Sequence, residues 1–220
     1  MNSNAQEFNV PESFKHLKQV HIDQDTLVFA FLPNNYISDF SLPKEFIEDN
    51  YMEEFIGIVK TDRSKESEYL LSFTTAPSLD HTYSFYKKDG TSYHFSFSVG
   101  GKQIYIPGNG NVYVSGHTNN LFNEKLKYTI TNDSLKEVNQ ALKYVGLKTK
   151  LNSSIVLYSD KEKTKKVAFL PKNSEVTVLL NERYNKEEYF LIKTSFGLVG
   201  WCKLDHYYKQ TIQGIFFKGD

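Results

Sequence analysis

The stretch Thr194-Ser195-Phe196-Gly197-Leu198-Val199-Gly200-Trp201-Cys202 ends a series of short apolar segments, and its reading decides how the last third of the chain folds. Ser195-Phe196-Gly197 has the composition of a tight turn, with glycine supplying the backbone freedom. Residues 198–202 then read as a strand. Gly200 lets another backbone approach where a side chain would clash, and Trp201 either packs in the core or presents its ring beside that gap. Working backwards, residues 155–158, 167–170, 176–180 and 189–194 are further strands. They are separated by Ser159-Asp160, by Pro171-Lys172-Asn173-Ser174 and by a charged turn at Asn185-Lys186. Five short strands in about 50 residues predict a small closed barrel, because closure hides the edges of so short an all-β chain.

Upstream the chain is also strand-rich, with β segments expected at 26–32, 55–61, 69–75, 83–87, 93–99, 103–106, 112–115 and 127–130. Asp89-Gly90 and Gly100-Gly101 supply positive-φ turn residues, which predicts a three-strand meander over 83–106. Alternation places Tyr93, Phe95, Phe97 and Val99 on one face and leaves His94 towards solvent. Two short helices are expected to interrupt the strands. In the first, Leu42, Phe46, Ile47, Tyr51 and Phe55 fall near helical spacing behind Ser41 and Pro43. In the second, over 134–145, Ser134 and Glu137 fit a capping box, Leu135, Val138, Ala141, Leu142 and Val145 make a stripe, and Gly146 closes the end. The expected fold is therefore mostly β: a β-rich N-terminal domain with two short helices over 1–146, then a small β-barrel over 147–220.

Twenty-six basic and 26 acidic residues give a net charge of zero, which argues against a nucleic-acid binder acting through a global positive field. The zero conceals two halves. Residues 1–146 hold 13 basic and 18 acidic side chains, a charge of −5, and residues 147–220 hold 13 and 8, a charge of +5. Either the halves dock through complementary charge or the second carries a basic binding face. Cys202, the single cysteine, excludes an intramolecular disulfide and a thiolate-only metal site. No apolar run approaches the roughly 18–20 residues of a membrane-spanning helix, and the first ten residues lack a signal-peptide pattern. Asn2-Ser3-Asn4-Ala5-Gln6 resembles the polar tether that follows the lipid-modified cysteine of mature bacterial lipoproteins. The expectation is a chain whose lipid anchor has been removed, or otherwise a cytoplasmic protein.

Leu157-Tyr158-Ser159, residues 170–179 (LPKNSEVTVL), Leu191-Ile192-Lys193-Thr194 and Gly197-Leu198-Val199-Gly200-Trp201 together resemble the bacterial SH3 domain. The resemblance covers residues 147–210, and the N-terminal part resembles no family. It implies a noncatalytic module of envelope proteins and wall hydrolases that binds peptidoglycan or short peptides through aromatic grooves. Tyr158 and Trp201 match the family's recurrent aromatic positions. Tyr184 and Tyr189 join them by proximity, and Lys193 and Lys203 would contribute a basic rim.

Chemistry is otherwise thin. Cys202, on a strand beside Trp201, reads as a small buried hydrophobe. No Gly-x-Ser-x-Gly elbow occurs, and Ser115-Gly116-His117 is a serine and a histidine without a third partner. His16, His21, His81, His94 and His206 form no ligand pair, so neither metal nor cofactor is expected. Glu48-Asp49 and Glu53-Glu54 read as a solvated helix face, and Gly108-Asn109-Gly110-Asn111 as a turn. Tyr93, Phe95 and Phe97 lack the basic rim of a base-stacking platform and read as core. The expected function is noncatalytic binding of a peptidoglycan peptide or protein partner in the bacterial periplasm or envelope, without nucleic acid. Two alternatives stand behind it: an immunity or inhibitor protein that neutralises a cognate toxin or enzyme, and a wall hydrolase built on Ser115 and His117.

Overall fold

Period-two alternation rather than helical spacing governs the fold. The computed structural model describes residues 10–22, 28–48, 53–75, 80–204 and 209–219, and among these it contains 17 strands in three sheets. The chain divides into two units, one of Met1–Ser115 with Leu126–Val138, the other of Gly116–Lys125 with Asn139–Asp220.

The first unit is a sandwich. One sheet has the order β1 (Lys18–His21), β2 (Val28–Phe31), β8 (Gln103–Ile106), β9 (Asn111–Gly116), β10 (Glu124–Thr131) and β11 (Ser134–Glu137). The other has the order β3 (Tyr36–Ile37), β4 (Glu54–Val59), β5 (Tyr69–Thr75), β6 (His81–Asp89) and β7 (Ser92–Gly100). Phe29, Phe31, Ile104 and Val112 from the first sheet meet Tyr69, Leu71, Tyr83 and Phe85 from the second in one core. At roughly 1.5–3 kcal/mol for each large apolar side chain removed from water, this aromatic interior is the unit's main source of stability.

The expected meander breaks after its first hairpin. Strands β6 and β7 pair across a turn at Gly90-Thr91, one residue later than expected, with Asp89 still in the ladder opposite Ser92 and Gly90 at φ 59°, but β8 leaves that sheet and pairs parallel with β2. At the corner, Gly101 N–H donates to the His81 carbonyl and Lys102 N–H to the Ser115 carbonyl, one bond to each sheet. A second correction concerns Phe95. The register slips by one residue between Phe85 and Tyr86, so Phe97 pairs with Phe85 in the core while Phe95 pairs with Tyr86 and is 60% exposed. A bulge of one residue reverses every side chain beyond it. His94 is exposed as expected, and so is its neighbour Phe95.

Helix is scarcer than expected. Among the described residues it comprises 3-10 turns at Glu12–Phe14 and Pro33–Asn35 and the five-residue α1 (Lys44–Glu48). Phe55 belongs to β4, and Tyr51 lies outside the described residues. Phe46 of α1 packs on Phe55 and Tyr86, with ring centroids 5.1 Å from each. Glu53 is no solvated carboxylate: it accepts bonds from the Ser72 hydroxyl (2.6 Å) and the Tyr86 hydroxyl (2.9 Å).

The helix expected over 134–145 is absent. Asn132 and Asp133 both take positive φ (50° and 57°), a two-residue hairpin turn that sends β11 back along β10. The apolar stripe is shared between cores: Leu135 packs into the sandwich, Val145 belongs to β12 (Lys143–Lys150) in the other unit, and Leu142 is exposed.

The second unit is one six-stranded sheet of order β12, β15 (Glu175–Tyr184), β16 (Glu187–Thr194), β17 (Val199–Lys203), β13 (Ile155–Tyr158) and β14 (Lys166–Leu170). It does not close: β12 and β14 are its two edges, which corrects the expected barrel. Phe190, Ile192, Leu157 and Val178 form the inner face, and the loop residues Leu121 and Phe122 with the tail residues Ile212 and Ile215 complete that core. Side chains from outside the sheet thus do the burying that closure would have done. The tail returns as isolated bridges, Ile212 with Leu151 and Lys218 with Asn120, rather than as a full strand.

Gly200 holds β13 and β17 together. A methyl group there would lie 2.9 Å from both Leu157 Cβ and the Tyr158 carbonyl oxygen, closer than packed atoms allow. Gly200→Ala is expected to cost about 2 kcal/mol through overpacking. Urea unfolding followed by the fluorescence of Trp201, the sole tryptophan, checks it.

Candidate functional site

Each strand of the second unit's sheet turns alternate residues inward, which leaves an outward set defined by register. Opposite the inward Phe190, Ile192, Gly200 and Cys202 stand Tyr189, Leu191, Lys193, Trp201 and Lys203. Tyr158 of β13 pairs directly with Trp201. On β15 the register slips between Val178 and Leu180, so Leu180 pairs with Leu191, Glu182 with Tyr189 and Tyr184 with Glu187. The slip keeps Glu182 and Tyr184 on the outward face. Cys202 is 5% exposed within the core, whereas Trp201 is half-buried outside it.

The loop from β13 to β14 covers part of this face. Asp160 begins it by accepting bonds from the Thr164 amide (3.0 Å), the Thr164 hydroxyl and the Ser159 hydroxyl (2.7 Å). The Thr164 bonds are the main reason its carboxyl lies below the usual carboxylate range. Lys161 then reaches over the sheet, its Nζ 4.7 Å from the centroid of the Tyr184 ring and 4.9 Å from that of Trp201. The same ammonium is ion-paired with Glu182, and the two side chains are only 18% and 20% exposed. A cation held against two ring faces in so sheltered a place gains about 0.5–2 kcal/mol from the rings. Tyr184 is fixed by its hydroxyl bond to Glu162 (3.0 Å) and its edge contact with Tyr189 (centroids 6.1 Å apart). Tyr189 donates to Glu187 (3.3 Å), which is ion-paired with Lys203; burial first, and then the Glu187 charge, raise the Tyr189 hydroxyl above its ordinary pKa.

The structure thus brings five of the six expected residues together: Tyr158, Trp201, Tyr184, Tyr189 and Lys203. Lys193 shares the face but lies along the strands, opposite Val199 and Thr177. Sequence reasoning missed Lys161, Glu182 and Glu162, which sit in a lysine-rich turn and on a strand with no motif around them. The readable signal was Asp160 four residues before Thr164, the spacing of a local side-chain-to-backbone bond that shapes the loop.

Other candidate chemistry is engaged structurally. His117 Nε2 donates to the Phe216 carbonyl at 3.0 Å, with the imidazole edge-on to the Phe216 ring. His206 and Asp205 lie outside the described residues. Among the described residues no group of three His, Cys, Asp or Glu side chains could hold a metal ion, and no helix is long and apolar enough to cross a membrane. In the sandwich unit, a polar cavity of about 260 Å³ is lined by Asp62, Lys65, Tyr69, Lys87 and Asp133 among others. Its charges neutralise one another. Asp133 accepts from Lys87 (2.6 Å) and from the Tyr69 hydroxyl (2.8 Å). Comparison with protein-family models, with curated proteins and with solved structures finds no match to this chain.

The hydrogen bond from Lys87 chiefly holds the Asp133 carboxyl below its ordinary pKa, with Tyr69 adding to it. A depressed folded-state pKa contributes stability above the unfolded value and loses it as pH falls through the folded one. The loss therefore belongs below about pH 4, the ordinary range of an aspartate. Asp133→Asn, which still suits the positive-φ turn, is expected to flatten the decline in stability between pH 5 and pH 2. Urea titrations across that window test it.

Proposed function

We propose that this chain is a noncatalytic binding protein of the bacterial cell envelope, whose second unit acts as an SH3-like module with an open, capped sheet. Its ligand is a peptidoglycan peptide or a protein partner held on the outward face. The observation that carries this reading is the grouping of the half-buried Tyr158, Trp201 and Tyr184 on the outward face, with the buried Tyr189 against the edge of Tyr184, on strands whose opposite sides supply the core. A fold that needed Trp201 only for burial would have turned it inward, where the largest return in buried area lies. Neighbouring apolar side chains extend the surface: Val199 is 43% and Phe169 56% exposed. The resemblance of residues 147–210 to bacterial SH3 domains supports the envelope as location. Aromatic anchors surrounded by charged groups suit recognition of a polar peptide rather than a large apolar body.

The test is retention of the full chain on purified peptidoglycan. Trp201→Ala is expected to weaken retention at least about tenfold, as loss of a binding hot spot does, with the circular dichroism spectrum kept. Equal retention of the variant removes the aromatic face from the reading. No retention of the wild-type chain, with a tight and salt-sensitive complex with one cognate protein instead, replaces wall binding by inhibition.

A further inference from the structure

We infer that Glu182, Tyr184 and Trp201 form a binding site for the side-chain ammonium of a lysine-like residue in a peptide ligand, and that Lys161 is its built-in competitor. The inference rests on the reading of the outward face as a binding surface and specifies what that surface takes. Two ring faces and a carboxylate converging on one nitrogen meet the chemical requirements of an alkylammonium site: the rings offer negative quadrupole faces and the carboxylate balances the charge. The site already holds such a group. Lys161 Nζ lies 4.7 Å and 4.9 Å from the two ring centroids and is ion-paired with Glu182.

What separates a site from a mere loop clasp is the origin of its parts. The walls come from the sheet. Glu182 and Tyr184 are set by the ladder of β15 with β16, and Trp201 by pairing with Leu191 on one side and Tyr158 on the other. None of those bonds involves Lys161. The occupant comes from a short connection between β13 and β14, closed at its base by the Ser159 amide and the Lys165 carbonyl and shaped by Asp160 and Thr164. Rotation of the Lys161 side chain alone would vacate the site and leave its walls standing. The neighbouring Lys163, its Nζ 6.0 Å from the Tyr158 ring, belongs to the same loop.

An intramolecular occupant at an effective concentration in the millimolar range or above weakens any ligand that must displace it. A free lysine-like group should therefore bind poorly to the wild-type chain. A peptide whose other contacts fall on the half-buried Tyr158 and Lys203 and the exposed Phe169 supplies the remaining free energy and displaces Lys161. The device sets a threshold: the ammonium is necessary and not sufficient.

Because Trp201 is the only tryptophan, its fluorescence reports this site alone. The experiment titrates the full chain with Nα-acetyl-lysine methylamide and, as the neutral counterpart, Nα-acetyl-norleucine methylamide. Lys161→Met is expected to show a saturable response to the lysine probe at least about tenfold tighter than wild type, and none to the norleucine probe. Adding Glu182→Gln to that variant should abolish the response. Should Lys161→Met not fold, Lys161→Gln keeps a similar stem with a neutral polar tip and is read the same way. A folded variant that answers to neither probe, answers equally to both, or binds no tighter than wild type overturns the inference. If that happens while wall retention still depends on Trp201, only the ammonium site falls. If retention does not depend on Trp201, the binding face itself falls.

Discussion

The outward face of the second unit depends on a single inserted residue. Between the pairs Val178 with Ile192 and Leu180 with Leu191, strand β15 carries Leu179 as an extra position. Strict alternation from the buried Val178 would send Leu180, Glu182 and Tyr184 into the core, a carboxylate among them. The bulge reverses that. It sends Asn181 inward, where its amide donates to Glu188 (2.8 Å) and to the Tyr189 carbonyl (3.3 Å), and turns Glu182 and Tyr184 out to meet Lys161. Burying a charged Glu182 without a partner would cost several kcal/mol, so the same slip that builds the face also puts a hydrogen-bonded amide in the interior in place of a carboxylate.

Much of the strand content was legible because burial on one face imposes a period that sequence displays directly. Residues 69–75, 103–106 and 155–158 match their strands to the residue. The hairpin after Asp89 and the close approach at Gly200 were legible because each needs a glycine, Gly90 in the turn, for a local steric reason. The failures share one cause. Ser134 to Val145 has helical spacing, but Asn132-Asp133 imposes a hairpin and two different cores claim Leu135 and Val145. Phe95 and the closed barrel failed likewise: a bulge, and a core filled by Leu121, Phe122, Ile212 and Ile215, are settled by residues distant in sequence. Tertiary contacts decide such features, and local pattern does not carry them.

The candidate site divides along the same line. Its aromatic half was legible through the resemblance, which marked Tyr158 and Trp201 and drew in Tyr184 and Tyr189 by proximity, whereas alternation alone would have sent Tyr184 inward. Its charged half was not, because the aim of Lys161 depends on a loop and its partner Glu182 on the bulge. Cys202 illustrates the converse: it was readable as core from its small, weakly polar thiol on a strand, and its burial in turn places Trp201 outward.

A lysine is a costly way to cover an aromatic patch. Leucine or methionine at position 161 would bury comparable apolar area without fixing a long, rotamer-rich charged side chain and without desolvating Glu182. Glu182 itself could then be an apolar residue, which continuum reasoning and substitution experiments on buried ion pairs generally find no less stable. Keeping both charges, four-fifths sheltered and stacked between two rings, gives up stability that an apolar pair would supply. On the proposed binding role, what the arrangement gains instead is selectivity. Only a group that is cationic, narrow and mounted on an aliphatic stem satisfies the carboxylate and both rings at once, and a surface that must reject the wrong peptides requires such a condition.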